Sequence, residues 1–211
     1  MKESPKKLNE TVKLTGSNHL PTTRGTADYF DWPNRSIRDV GIASDLFSTL
    51  RAEGKAITIP HSVRPGPAPN SPPDCIAATS GGELIAVELT ELVDRSFVAH
   101  KKQDRGYHPK QYSKTTLTNR LQEILARKQR PVSALKGGPF AYHILIIHTD
   151  EPYLTPKTVS RYLEGVAFQK SDPWDEVFFI LPPLIPHSAT ARKNPHKCWY
   201  TRLAFTGAIS A

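Results

Sequence analysis

The chain has 211 residues, which at roughly 150 residues per domain predicts one domain with extensions or two small domains. Apolar residues make up 38% and charged residues 23%, and no apolar run approaches the roughly 18 residues that a membrane-spanning helix needs. Lys and Arg outnumber Asp and Glu by 28 to 20, a net charge of +8 that favours a polyanionic partner. With two cysteines and no apolar stretch behind the basic start of the chain, we expect a cytoplasmic protein without a disulfide scaffold, a secretory signal or a membrane partner.

Apolar spacing predicts helices and strands that alternate after an N-terminal arm. A period near 3.6 residues marks the helices, and alternating or continuous apolar runs mark the strands. In chain order the predicted elements are a helix over 36–53, strands over 56–59, 75–79 and 83–90, a helix over 116–130, a strand over 142–149, a helix between Thr155 and Gly165, a strand over 176–181 and an edge strand over 198–205. Two long connections, 60–73 with its six prolines and the polar stretch 92–115, are predicted to be loops.

This order of elements predicts an α/β fold. The Ser80-Gly81-Gly82 turn joins two strands into an antiparallel hairpin, and two strand–helix–strand crossovers follow it. We therefore expect a mixed central β-sheet flanked by helices on both faces. The chain divides into a poorly ordered arm (1–35), an α/β domain (36–183) and a C-terminal extension with the edge strand (184–211).

Two carboxylates are predicted to meet at one end of the hairpin. Asp74 begins the first hairpin strand and Glu88 lies near the far end of the second, so the turn brings them together. Two acids and a backbone carbonyl, for which Leu89 is the natural candidate, make a hard oxygen site suited to Mg²⁺ or Mn²⁺. The alternative is structural: Asp74 ends a loop, and Glu88 is a surface residue.

A lysine and a third acid lie on helix faces that are otherwise apolar. In the helix over 116–130, Lys128 shares its face with Leu117, Leu121 and Ile124, so its amine is predicted to point toward the sheet. The alternative is that the stem is buried and the amine reaches water. Asp39 lies in the apolar stripe of the first helix, where it could also stabilise the helix dipole.

Pro73-Asp74, followed after thirteen residues by Glu88-Leu89-Thr90, resembles the motif of the PD-(D/E)XK nuclease superfamily. The resemblance covers about residues 36–181 and implies a restriction-endonuclease-like core, with Asp74, Glu88 and Leu89 holding a metal ion. Thr90 stands where the family has its catalytic lysine. Members that take this lysine from the following helix imply that Lys128 replaces it, and the family's first-helix acid corresponds to Asp39.

Basic residues are concentrated between positions 95 and 130, where ten of them face only Asp104 and Glu123. Aromatic residues are interleaved with them, which is typical of a nucleic-acid surface. The predicted phosphate-binding residues are Lys101, Lys102, Arg105, Lys110, Lys114, Arg120 and Arg127. The alternative is a solvated loop that binds nothing.

Together these features predict a Mg²⁺-dependent (or Mn²⁺-dependent) nuclease that hydrolyses phosphodiester bonds, with DNA preferred over RNA. Nucleases that cut both strands commonly pair their active sites, so the resemblance also implies a homodimer. The main alternative is a catalytically inactive nuclease-like fold that serves as a nucleic-acid-binding or protein-assembly module. A third is an unrelated α/β protein with a basic surface.

Overall fold

The fold is described from a computed structural model, which describes residues 34–54, 60–68, 71–93, 111–149, 151, 153–169, 172–181 and 198–206. These ranges contain the helices α1 (Arg35–Ala52), α2 (Lys114–Lys128) and α3 (Pro156–Leu163). Their strands are β1 (Pro60–Pro65), β2 (Cys75–Thr79), β3 (Leu84–Glu91), β4 (Tyr142–His148), β5 (Ala167–Phe168), β6 (Glu176–Leu181), β7 (Trp199–Arg202) and β8 (Ala204–Phe205).

Six of these strands form one mixed sheet in the order β1-β2-β3-β4-β6-β7. The pairs β1–β2 and β2–β3 are antiparallel, β3, β4 and β6 run parallel, and β7 returns antiparallel on β6. The crossover helices α2 and α3 connect the parallel strands, as such connections require. The predicted α/β class with a mixed central sheet is confirmed.

Helices cover both faces of the sheet. On one face α1 packs Leu46 and Phe47 against a core that includes Val87 and Ile146. On the other face α2 and α3 bury apolar side chains such as Leu121 over neighbouring strands. Because side chains alternate along a strand, Leu89 belongs to the α1 face and Glu88 to the α2 face.

Local signals position the helices that carry the site. The Asn34 side chain accepts hydrogen bonds from the first turn of α1, and Ser113 does the same for α2. Thr155 and Pro156 begin α3 as the sequence predicts. The predicted limits of the helices therefore lie within about two residues of the observed ones.

The prediction of a loop over 60–73 is wrong in its first half, because residues Pro60–Pro65 form β1. β1 lies at one edge of the six-stranded sheet, where a missing proline N–H can be tolerated. The strand predicted over 56–59 lies outside the described residues. The edge strand predicted over 198–205 is divided: β7 completes the large sheet, whereas β8 pairs with the short strand β5.

None of the helices within the described ranges combines the length and the apolar character needed to cross a bilayer. Residues 1–33 of the predicted N-terminal arm and most of the basic connection after β3 lie outside the described residues, whereas Asn34 caps α1 and Arg35 is its first residue. The part of the basic connection outside the described residues includes the predicted phosphate-binding residues Lys101, Lys102, Arg105 and Lys110.

Candidate active site

The Lys128 amine meets Glu88 at the end of β3 that lies beneath the C-terminus of α2. Lys128 Nζ donates a 2.7 Å hydrogen bond to Glu88 Oε1 and a 3.3 Å bond to the Leu89 carbonyl. The amine thus points toward the sheet, as the helical spacing predicts, and its side chain is 15% exposed. Thr90 is two residues beyond Glu88 on the same face of β3, so the helix supplies a lysine close to the position where the strand carries threonine.

Glu88 has a second cationic partner, Arg130, just beyond the end of α2. Its Nη2 donates a 2.7 Å hydrogen bond to the same Oε1 atom that binds Lys128. Glu88 is nearly fully buried, and two cations compensate the cost of burying its charge. Its other oxygen, Oε2, is buried and has no hydrogen-bond partner among the described residues. One carboxylate oxygen is therefore doubly bound, and the other makes no hydrogen bond with the described residues.

Asp74 reaches the same segment of β3 from the start of β2. In the antiparallel β2–β3 ladder Cys75 pairs with Val87. Asp74 precedes Cys75 and Glu88 follows Val87, so these two residues are the next opposing pair. Asp74 Oδ2 accepts a 2.9 Å hydrogen bond from the Leu89 N–H. The peptide groups around Leu89 are consequently bound by Asp74 through the amide and by Lys128 through the carbonyl.

Gly66 fixes the backbone at Asp74. Its N–H donates a 2.8 Å hydrogen bond to the Asp74 carbonyl. A Cβ atom at Gly66 would overlap the Pro73 carbonyl oxygen and press on Asp74. This close approach explains why a glycine follows β1, and it holds the predicted metal ligand in place.

Asp39 lies beside Asp74 and joins the cluster from α1. Its two oxygens accept hydrogen bonds from Arg38 Nε at 3.2 Å and from Arg35 Nε at 3.3 Å. Burial raises the pKa of Asp39; the Arg38 guanidinium lowers it, and the negative charge of Asp74 raises it further. The predicted third acid is thus part of the site, although two arginines already compensate its charge.

Arg35 connects the two acids on this side. Its Nη2 donates a 3.3 Å hydrogen bond to Asp74 Oδ1 while its Nε binds Asp39. Asp39, Asp74 and Glu88 together have six carboxylate oxygens. Within the described part of the chain, five of these accept a hydrogen bond and only Glu88 Oε2 does not.

His148 lies in the strand predicted over 142–149, and the sequence gives no sign that it belongs near the site. It ends β4, is 4% exposed, and lies close enough to Arg38, Arg35 and Lys128 for their charges to act on it. Burial and, to a smaller extent, these three cations lower the pKa of His148 to about 3. The imidazole is therefore neutral at physiological pH and can accept or donate a hydrogen bond without adding charge to the site.

The sequence patterns also did not indicate the arginines that bind the three acids, which are Arg35, Arg38 and Arg130. The i, i+4 spacing of Arg35 and Asp39 is a signal that could have indicated their ion pair. Arg130 follows the helix, outside the apolar face that drew attention to Lys128. Its contact with Glu88 joins residues 42 positions apart, for which no spacing rule exists.

The three predicted phosphate-binding residues that the structure describes all lie on α2, but they are not equivalent. Arg127 is exposed next to Lys128, whereas Arg120 is paired with Glu123 at 2.7 Å. Lys114 donates to the Glu164 carbonyl at 3.4 Å. It lies at the opposite end of the helix, about 21 Å from Lys128 at 1.5 Å per residue. Of the three, Arg127 is best placed to contact a substrate at the site.

The chemistry of the donor set fits a hard divalent cation. Glu88 Oε2 is a buried acceptor without a hydrogen-bond partner among the described residues. Lys128 joins Glu88 to the Leu89 carbonyl, and the Asp74 carboxylate binds the Leu89 N–H. Carboxylate and carbonyl oxygens are the ligands that a hard divalent cation prefers. Within the described ranges, however, no three His, Cys, Asp or Glu side chains are grouped so that they could hold a metal. Asp74 binds Arg35 through Oδ1 and the Leu89 N–H through Oδ2, so a metal ion at this carboxylate would compete with these contacts.

Comparisons with protein-family models, with curated proteins and with solved structures find no significant match to this chain. The geometry of the site therefore carries the functional argument.

Proposed function

We propose that the protein is a Mg²⁺-dependent nuclease that hydrolyses phosphodiester bonds in DNA. The observation that carries the proposal is the contact of Lys128 with both Glu88 and the Leu89 carbonyl. This contact supports the interpretation that α2 supplies the catalytic lysine, which the family motif has at the position of Thr90. The order α1-β1-β2-β3-α2-β4, with an acid at the start of β2 and another near the end of β3, supports a restriction-endonuclease-like core.

The acids and the lysine have different proposed roles. Glu88, Asp74 and the Leu89 carbonyl would hold the ion, which when bound polarises the phosphodiester and lowers the pKa of a coordinated water. The Lys128 ammonium has three donors, and the described contacts use two of them. The third can orient the attacking water or stabilise charge on the phosphate. Asp39 would act on Asp74 as a neighbouring charge.

The proposed substrate follows from the distribution of charge. The site combines three acids with the cations Arg35, Arg38, Lys128 and Arg130, so it is not repulsive to a phosphate. Arg127 adds a positive charge on α2 beside Lys128. The basic segment 95–113 precedes the N-terminal end of the same helix in the sequence. Such a surface favours a polyanionic backbone over a small neutral substrate.

A specific observation favours the second candidate, an inactive nuclease-like module that binds nucleic acid. Glu88 is neutralised by both Lys128 and Arg130, and Asp74 by Arg35. A site whose acids are already paired is electrostatically complete without a metal ion. Together with Thr90, this pairing is what a fold that has lost catalysis would retain.

The two candidates are separated by variants that remove charge but keep shape. Asp74→Asn and Glu88→Gln should each reduce Mg²⁺-dependent cleavage of labelled DNA to background while DNA binding is kept or strengthened. Glu83→Gln, an exposed residue of the same hairpin, is the matched control and should cleave like the parent. Cleavage that survives both site substitutions would place the chemistry elsewhere. A parent that binds DNA but never cleaves it would support the inactive module.

A further inference from the structure

Arg35 bridges two of the three acids of the site, Asp39 and Asp74. It is the first residue of α1, and its guanidinium spans the gap between the Asp39 and Asp74 carboxylates, with both N···O distances at 3.3 Å. Glu88 lies opposite Asp74 where the β2–β3 register continues, and its Oε2 is buried and has no partner within the described ranges. The site therefore contains two acids that share one arginine and a third acid with one oxygen that makes no hydrogen bond to the described residues.

The ion pairs of Arg35 are longer and more exposed than those of Glu88 with Lys128 and Arg130. Charge-assisted N–H···O bonds are usually 2.7–2.9 Å long, as the bonds of Lys128 and Arg130 to Glu88 are at 2.7 Å. Those of Arg35 are 3.3 Å, and its side chain is 59% exposed. Exposed ion pairs contribute little, because water competes for both partners. Of the cations that bind the three acids, Arg35 is therefore the one that water reaches most easily, although the Asp39 and Asp74 carboxylates are much less exposed (4% and 17%).

Arg38 is held differently. Its Nε binds Asp39 Oδ1 at 3.2 Å, its side chain is 21% exposed, and the described contacts do not join it to Asp74. Asp39 thus keeps a cationic partner if Arg35 departs. Asp74 loses the one side-chain cation that binds it within the described residues, and its Oδ1 can then accept a metal ion. The two arginines are adjacent to the same acid but differ in whether they hold the proposed metal ligand.

We propose that Arg35 is a displaceable counter-ion, and that a divalent metal ion binds Asp74 by exchange with its guanidinium. The inference rests on the proposed function, since it concerns the same metal site. It assigns Arg35 a positioning role: it holds Asp74 and Asp39 together before the ion enters, and it sets the concentration of metal that the site needs.

The test is Mn²⁺ titration by isothermal calorimetry on the full chain without DNA. Arg35→Gln should lower the Kd for Mn²⁺ by about three- to tenfold, because the ion no longer competes with a guanidinium. Arg35→Lys keeps the charge but cannot span two carboxylates with one planar fork, so its Kd should fall between those of Arg35→Gln and the parent. Melting temperatures of all variants show whether the fold is kept.

Two controls separate displacement from a general effect of charge. Arg202→Gln removes a similarly exposed arginine (54%) from its ion pair with Glu176 elsewhere on the sheet, and should leave the Kd unchanged. Arg38→Gln removes a charge beside Asp39 without freeing Asp74, and should lower the Kd less than Arg35→Gln does. An equal effect of Arg38→Gln, or no effect of Arg35→Gln, would overturn the exchange while leaving a metal-dependent nuclease intact. If neither the parent nor Arg35→Gln binds Mn²⁺, both this inference and the proposed function fail.

Discussion

The Glu88 carboxylate is buried between Lys128 and Arg130, which makes its energetics sensitive to the loss of either partner. Lys128→Met keeps the length and the apolar stem but leaves Glu88 with Arg130 alone. We expect a loss of about 1–3 kcal/mol in the free energy of unfolding, the usual cost of removing one partner of a buried hydrogen-bonded charge. Urea denaturation measures it.

A double-mutant cycle shows whether the loss comes from the Glu88–Lys128 contact. In a Glu88→Gln background, Lys128→Met should cost at least about 0.5 kcal/mol less than in the parent, because no buried charge remains to be compensated. Lys157→Met, on the exposed side of α3, serves as the control and should have little effect. Equal losses in both backgrounds would mean that the amine is not coupled to Glu88.

His148 connects the site to the pH dependence of stability. Its pKa is lowered to about 3 by burial and nearby cations, against about 6.5 in an unfolded chain. Below pH 6.5 the unfolded state binds the proton and the folded state does not, so stability falls as the pH decreases toward 3. The resulting loss in the free energy of unfolding is roughly 2 kcal/mol at pH 5. Asp39, whose pKa is raised, acts in the opposite sense.

Comparison of the parent with His148→Gln isolates this effect, because all other titrating groups are shared. Unfolding measured at pH 7.5 and pH 5 should show a decrease on acidification that is smaller in the variant by roughly 2 kcal/mol. The same decrease in both proteins would show that His148 is not kept neutral by its surroundings.

At the scale of elements, the turn of the chain between β1 and β2 positions Asp74. Gly66→Ala places a methyl group against the Pro73 carbonyl, so the backbone at Asp74 must move. We expect a loss of about 1–3 kcal/mol in stability, as for other overpacked positions, and weaker Mn²⁺ binding. Gly81→Ala, at the other end of β2, meets only ordinary contact with Thr79 and is the control. Normal Mn²⁺ binding by a folded Gly66→Ala protein would contradict the role given to Asp74.

The same elements show which parts of the fold a sequence can predict. α2 and its inward lysine are predictable, because one apolar stripe fixes both the helix and the direction of Lys128. β1 is not, because its prolines remove the usual strand pattern and only its place at the sheet edge makes them acceptable. β5 and β8 have two residues each, too few for any periodicity.

In the site itself, too, some contacts can be predicted from the sequence and others cannot. Asp74 and Glu88 could be predicted to meet because a tight turn fixes the hairpin register. The bonds of Arg35 to Asp74 and of Arg130 to Glu88 arise only after α1 and α2 have packed on opposite faces of the sheet. Such contacts join residues that are distant in the sequence, so local spacing cannot predict them.

At the scale of the whole molecule, we expect the surplus of positive charge to govern the proposed binding to DNA. The triple variant Lys101→Glu, Lys102→Glu, Arg105→Glu lowers the net charge from +8 to +2. If all three contact phosphates, the slope of log K against log salt should become shallower by about 3, with weaker binding to every sequence. Fluorescence anisotropy over a range of salt concentrations measures it.

A control with the same net charge separates local contacts from the overall field. Arg64→Glu, Lys157→Glu and Arg161→Glu are exposed, lie outside residues 95–130 and also reduce the charge from +8 to +2. This variant should keep most of the parent's salt slope. Equal slopes for the two triple variants would show that DNA responds to total charge and that the 95–130 segment has no special role.

The most direct test of the metal-dependent site is a crystal structure of the full chain with Mn²⁺, located by its anomalous scattering. We expect a peak in contact with the Asp74 and Glu88 carboxylates and the Leu89 carbonyl, with Lys128 still beside Glu88 and Arg35 moved away from Asp74. An ordered site without a peak at saturating Mn²⁺, in which Arg35 still bridges Asp39 and Asp74, would contradict it and favour the inactive nucleic-acid-binding module.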